Sequence, residues 1–166
     1  MSTAIVGKGW GEVNNTMALD SDPETSGKPI VAISMCACGI PCRYHGLTHK
    51  MGQRLYKEKK VAKLREKYEL LPVCPEIMGG LPTPRPACST TWDDDGNPIV
   101  EVRGLKNGKR EFKTEEYIQG SNWVLWLCKE FGVKVAYLMK DSPACDADNG
   151  VCGRLLREKN IIVRKL

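Results

Sequence analysis

The sequence predicts an α/β protein: a doubly wound, mostly parallel sheet of the Rossmann-like three-layer kind, with one inserted hairpin. Three observations predict it. Short apolar runs alternate with longer segments of helical period. Gly, Pro and Asn punctuate the ends of these segments. A chain of 166 residues with 42% hydrophobic content suits one domain with an ordinary packed core.

Residues 1–28 are polar, lack a period and read as a flexible N-terminal extension, which Trp10 and Met17 are placed to pin to the body. The domain then spans residues 29–166. Pro29–Ile33 is an apolar run and the first buried strand. A Cys- and Gly-rich loop comes next, from Ser34 to Gly46. Leu47–Tyr68 reads as a helix, with Leu47, Met51, Leu55, Val61, Leu64 and Tyr68 near one face. Its other face is basic, from Lys50 and Arg54 through Lys57, Lys59, Lys60, Lys63 and Arg65 to Lys67. Leu70–Val73 is a second strand. The stretch Cys74–Asp95 holds Pro75, Pro82, Pro84, Pro86 and a Gly79-Gly80 pair, and is expected to be rigid and non-helical.

Ile99–Arg103 and Arg110–Phe112 flank Asn107-Gly108, a hairpin signal. Thr114 is a candidate N-cap, with Glu115 and Glu116 suited to a first helical turn. Tyr117, Ser121, Val124, Cys128 and Phe131 then recur at helical spacing until Gly132 stops the helix. Val133–Met139 is a third parallel-type strand, Val151–Lys159 a last helix and Ile161–Val163 a last strand.

Composition narrows the function classes. A net charge of +5 is compatible with an anionic ligand or RNA without demanding one. No apolar run approaches the ~20 residues that span a bilayer, so no membrane association is expected. The first fifteen residues lack a signal-peptide core, and a cytoplasmic location is expected. In a reducing compartment the 8 cysteines are poor disulfide candidates and better metal ligands, about half of them being simple core residues.

In open parallel sheets, ligands bind beyond the carboxyl ends of the strands. The first strand is followed by Ser34-Met35-Cys36-Ala37-Cys38-Gly39-Ile40-Pro41-Cys42-Arg43-Tyr44, the second by Cys74-Pro75-Glu76, and the third by Lys140-Asp141-Ser142-Pro143-Ala144-Cys145. Topology thus delivers Cys36, Cys74 and Cys145 to one sheet edge. Thiolates meeting there suggest zinc or an iron–sulfur cluster. The spacing is not that of a zinc ribbon. Cys38 and Cys42 are candidates for a fourth ligand or for loop lining, whereas Cys88, Cys128 and Cys152 read as structural. Glu76, on a stiff loop two residues past Cys74, is placed to act as a general base or to be a surface carboxylate. Ser142, three residues before Cys145, suits substrate contact or a cap. Arg43 and Arg85 suit an anion or carbonyl, or loop bracing; Tyr44 suits ring stacking. His45 and His49 are weaker ligand candidates than exposed or structural histidines.

Taken together, these segments resemble the thiouracil desulfurase (desulfidase) family. The family pattern S-A-C-x-x-G-x-x-C-R-Y is matched from Ser34 to Tyr44, V-C-P-E-x-x-G-G-L-P-T-P-R from Val73 to Arg85, and S-P-x-C from Ser142 to Cys145. The resemblance runs from about Pro29 to the C-terminus. It implies a [4Fe–4S] cluster with Cys36, Cys74 and Cys145 as its metal ligands and one iron open. It also implies Glu76 and Ser142 as catalytic residues, with Ser34, Arg43, Tyr44 and Arg85 about the substrate. Four departures stand out: Met35 for a small residue, the additional Cys38, His45 for an acidic residue, and a short segment after Cys145 without the usual glycines.

The implied reaction is non-redox C–S cleavage in a thiolated pyrimidine such as 2-thiouracil, giving the oxo-pyrimidine and sulfide. An open iron is a thiophilic Lewis acid. A thiouridine in tRNA is an alternative substrate that the basic helix would suit. A non-enzymatic iron–sulfur carrier or sensor, its cluster closed by Cys38 or Cys42, is the competing reading, and a structural zinc site a weaker one. Oligomeric state is left open.

Overall fold

The computed structural model describes residues 27–47 and 51–166, with backbone alone over 51–57. The expected extension, but for Gly27 and Lys28, lies outside the described residues, as do Trp10, Met17, His49, Lys50 and the side chains of Met51, Arg54, Leu55 and Lys57. In chain order the elements are β1 (Ile30–Ser34), a 3-10 turn (Met35–Cys38), α1 (Met51–Lys67), β2 (Glu69–Val73), α2 (Pro75–Met78), β3 (Cys88–Trp92), β4 (Pro98–Val102), α3 (Thr114–Glu130), β5 (Val135–Leu138), α4 (Val151–Glu158) and β6 (Ile162–Lys165).

Four strands form a parallel sheet in the order β2-β1-β5-β6. β1 reads Ile-Val-Ala-Ile-Ser and is buried beyond its first residue, the continuous apolar run of a strand covered on both faces. The chain steps from β1 outward to β2, then returns past β1 to β5 and β6. This reversal makes the gap between β1 and β5 the topological switch point, where open sheets of this kind bind ligands. Right-handed crossovers place α1 on one face and α3 with α4 on the other, where α3 and α4 pack together. The core joins Ile33, Val73, Val124, Leu138 and Leu156 across these layers.

Several elements differ from expectation. The stretch Cys74–Asp95 is not wholly irregular: Pro75 opens α2 at the position where proline is favoured, and Cys88–Trp92 forms β3. The main hairpin is therefore β3 with β4, closed by a turn in which Asp93 Oδ1 accepts from Asn97 N at 2.7 Å. Thr90, Thr91 and Trp92 carry strand preference, but no apolar alternation announces it. Asn107-Gly108 does turn the chain, both with positive φ (62° and 68°), yet the returning segment makes only a Glu101–Phe112 bridge. Lys113, not Thr114, caps α3, and the Thr114 hydroxyl accepts from Val100 N instead. Leu47 is exposed and outside α1, and Phe131, expected on the buried stripe of α3, sits exposed at its C-cap.

Candidate active site

Three loops leave the carboxyl ends of β1, β2 and β5 and are stapled together. The Ser34 hydroxyl accepts from Met139 N at 2.8 Å, tying the first loop to the third. The second loop is fixed by close approach: α2 presses so tightly on α3 that a Cβ on Gly120 would strike Pro75 O, and one on Gly79 would strike Glu116 O. The third loop is wound about Asp146. Its carboxylate accepts from the backbone N–H of Asp141 (2.9 Å), Asp148 (2.9 Å) and Asn149 (3.1 Å). Burial raises the Asp146 pKa, and these bonds more than offset it, leaving the carboxyl below its ordinary range. The β3–β4 hairpin docks on the same loop through Thr90 Oγ1, which donates to Pro143 O at 2.9 Å.

These segments enclose a cavity of about 280 Å³. One wall is sulfur: Cys36, Cys42, Cys74 and Cys145. The Cys42 thiol is within hydrogen-bond reach of Cys36 and Cys74. That bonding holds its proton well above the ordinary thiol range and lowers Cys74. Cys145 is fully enclosed, and burial first, then neighbouring sulfurs, push its pKa up, against the Ser34 hydroxyl, which pulls it down. Because Ser34 Oγ already accepts from Met139, its O–H is the group left to donate to Cys145 sulfur.

The donor set fits an iron–sulfur cluster: soft thiolates from three separate loops, in a buried setting. A single zinc ion would draw its sulfurs to about 2.3 Å from one point. Among the described residues no three His, Cys, Asp or Glu side chains close in that way. Cys36, Cys74 and Cys145 are the thiols that would hold an iron–sulfur cluster here.

The rest of the lining includes polar groups. Glu76, half-buried in α2, receives Arg85 Nε on Oε2 at 2.7 Å, and the guanidinium's Nη2 lies 2.6 Å from the same oxygen. Arg85 also donates to Pro82 O, Thr83 Oγ1 and Cys42 O. Its guanidinium is thereby bound up in bracing, and it does not line the cavity, in contrast to the substrate-contact role expected for it. Ser34, Arg43, Tyr44, Glu76 and Ser142 do line it. Ser142 Oγ accepts from Cys145 N at 3.1 Å, so it caps the loop and keeps its O–H to donate inward. Cys38 turns away: burial raises its pKa, Arg65 lowers it, and of the cavity sulfurs only Cys36 acts on it. His45 is exposed, bonded through Nδ1 to Leu47 N at 3.0 Å, and outside the cavity.

Among the lining residues that sequence reading did not place at the site are Cys88, Arg103 and Tyr117. Cys88, assigned a structural role, lies in the polar wall, where burial raises its pKa and Tyr117 lowers it. Arg103 and Tyr117 went unremarked because their neighbours in space are distant in sequence. The signal available was the Tyr at the first buried position of α3, where any large apolar ring would fill the stripe.

Comparison with known proteins supports the fold and gives the family. One solved structure, titled "[4Fe-4S]-dependent thiouracil desulfidase TudS", superposes with a TM-score of 0.65 at 27% identity, covering 83% of this chain and 91% of its own. YbbK of Bacillus subtilis, an uncharacterized protein, is 28% identical over 116 residues, 70% of this chain and 72% of that one. The family model for 2-thiouracil desulfurase matches residues 31–163, so this chain belongs to the 2-thiouracil desulfurase family.

Proposed function

We propose that this chain removes sulfur from a thiolated pyrimidine such as 2-thiouracil, yielding the oxo-pyrimidine and sulfide without redox change, at a [4Fe–4S] cluster held by Cys36, Cys74 and Cys145. One observation carries the reading: thiols from three loops meet in a cavity that a clamped carboxylate also lines. The bound cluster would supply a thiophilic Lewis acid for the substrate sulfur. The residues of the chain then do three things. Glu76 moves protons: Arg85 holds Oε2, leaving Oε1 to take a proton from water and return it. Ser142 donates its free O–H to charge developing on the ring. Arg43 and Tyr44 border the mouth and orient the ring.

Anaerobic reconstitution and then a sulfide-release assay on 2-thiouracil and thiouridine test the reading. Wild type releases sulfide. Glu76→Gln keeps its iron and loses on the order of 10²–10⁴ in turnover. A full cluster complement with no sulfide from either compound defeats the enzyme reading. The nearness of Cys42 to Cys36 and Cys74 favours one competitor, a cluster closed by four thiolates. That competitor requires Cys42→Ala to lose iron, whereas the three-ligand site retains it.

A further inference from the structure

Tyr117 stands in the first turn of α3 and is 1% exposed, its ring part of the hydrophobic core. Its hydroxyl lines the cavity and has no hydrogen-bond partner of acceptable geometry. The Glu76 carboxylate and the Cys88 thiol are close enough to act on it, but neither completes a hydrogen bond with it, and Glu76 Oε2 is already held by Arg85. Buried polar groups are almost always satisfied, and a phenylalanine would fill the same core position without the desolvation cost of an O–H. The hydroxyl is therefore placed for something that enters the cavity.

Its position says which part of the ligand it meets. The polar neighbours of Tyr117 are Glu76 and Cys88, while Cys145 is acted on by Cys36 and Cys74. A flat ring held with its sulfur at the thiols leaves its other edges to the rest of the lining, Tyr117 among it. Building on the function proposed above, we propose that Tyr117 binds the substrate directly, its hydroxyl donating a hydrogen bond to the carbonyl oxygen of a thiouracil, which one ring nitrogen separates from the C=S carbon. Burial, then the charge of Glu76, push the phenol's pKa far above its ordinary value, so the group stays an O–H donor at every working pH.

The test uses Tyr117→Phe holoprotein, which deletes one oxygen and leaves the packing. Affinities for uracil and for pyrimidine-2-thione, which lacks the second carbonyl, are measured by calorimetry, alongside KM and kcat on 2-thiouracil. Iron content and melting temperature of the ligand-free variant stay at or above wild type, since a buried unpartnered hydroxyl has gone. Uracil binding weakens on the order of tenfold and KM rises to match, while pyrimidine-2-thione binds as it does to wild type. Equal weakening for both compounds makes Tyr117 a packing residue and overturns the proposal. So does unchanged uracil binding. A wild-type holoprotein that binds neither compound removes the underlying function, and this inference with it.

Discussion

Cys36, Cys74 and Cys145 reach the cavity from loops that leave three neighbouring strands, whereas Glu76, Cys88, Arg103 and Tyr117 reach it from α2, a hairpin and the first turn of α3. The first wall is a consequence of sheet topology alone: the loops leaving parallel strands all emerge at one edge. The second is a consequence of packing, set by the contact of glycines in α2 and α3 and by the hydrogen bond of Thr90 to the third loop. A sulfur wall made by topology tolerates much change around it, provided the strands stay in order. A polar wall made by packing does not.

The comparison is broken most severely at the sulfur wall itself. Replacing Cys36, Cys74 or Cys145 singly by Ser should abolish iron retention and sulfide release together, while far-ultraviolet circular dichroism stays near wild type, because the sheet does not depend on these thiols. A variant that kept full iron and full turnover would take that residue out of the ligand set.

Arg85→Met tests the packed wall. The guanidinium is buried and serves Glu76, Cys42, Pro82 and Thr83 together. Removing one partner of a buried pair costs about 3–5 kcal/mol, more than a surface pair by several-fold. Denaturant unfolding should show a loss of that size, and turnover should fall with Glu76 no longer held. A loss below about 1 kcal/mol would mean that the clamp is not what fixes the carboxylate.

These walls were not equally legible. The mostly parallel sheet, the emergence of Cys36, Cys74 and Cys145 at one edge, and Glu76 beside them could be read from the apolar runs and the loop residues after each run; the strand order β2-β1-β5-β6 could not. β3 could not, because Cys-Ser-Thr-Thr-Trp has no alternating apolar face. Tyr117 could not, because a buried stripe of α3 explains it completely until the cavity shows where its oxygen sits. For Arg85 the sequence left anion binding and loop bracing both open, because its partners Glu76 and Cys42 lie 9 and 43 residues away.

Asp146 shows the same limit on the third loop and gives a smaller effect. Its 6%-exposed carboxylate holds three backbone N–H groups of that loop. Asp146→Asn should cost about 1–3 kcal/mol at neutral pH. The sign with pH is set by the lowered carboxyl pKa. Its stabilisation is complete above the unfolded value near ~4 and is lost as pH falls through the folded value, so the two proteins should converge in acid. A constant gap between their unfolding curves down to the acid limit would show that charge has no part in it.

The smallest effect is expected at Cys38, which is the sharpest statement of where the sulfur wall ends. It lies two residues from Cys36 and on sequence grounds is as good a ligand as Cys42. In the fold the 3-10 turn sends Cys36 and Cys38 to different surroundings: Cys36, like Cys42, lines the cavity, while Cys38 packs beside the core and faces Arg65. Cys38→Ala should therefore keep iron content and sulfide release within about twofold of wild type. Its stability cost should stay near the ~1 kcal/mol of a small, partly buried truncation. Iron loss on the scale of the Cys36 variant would place Cys38 among the ligands. Proximity in sequence would then have outweighed the direction that the turn imposes.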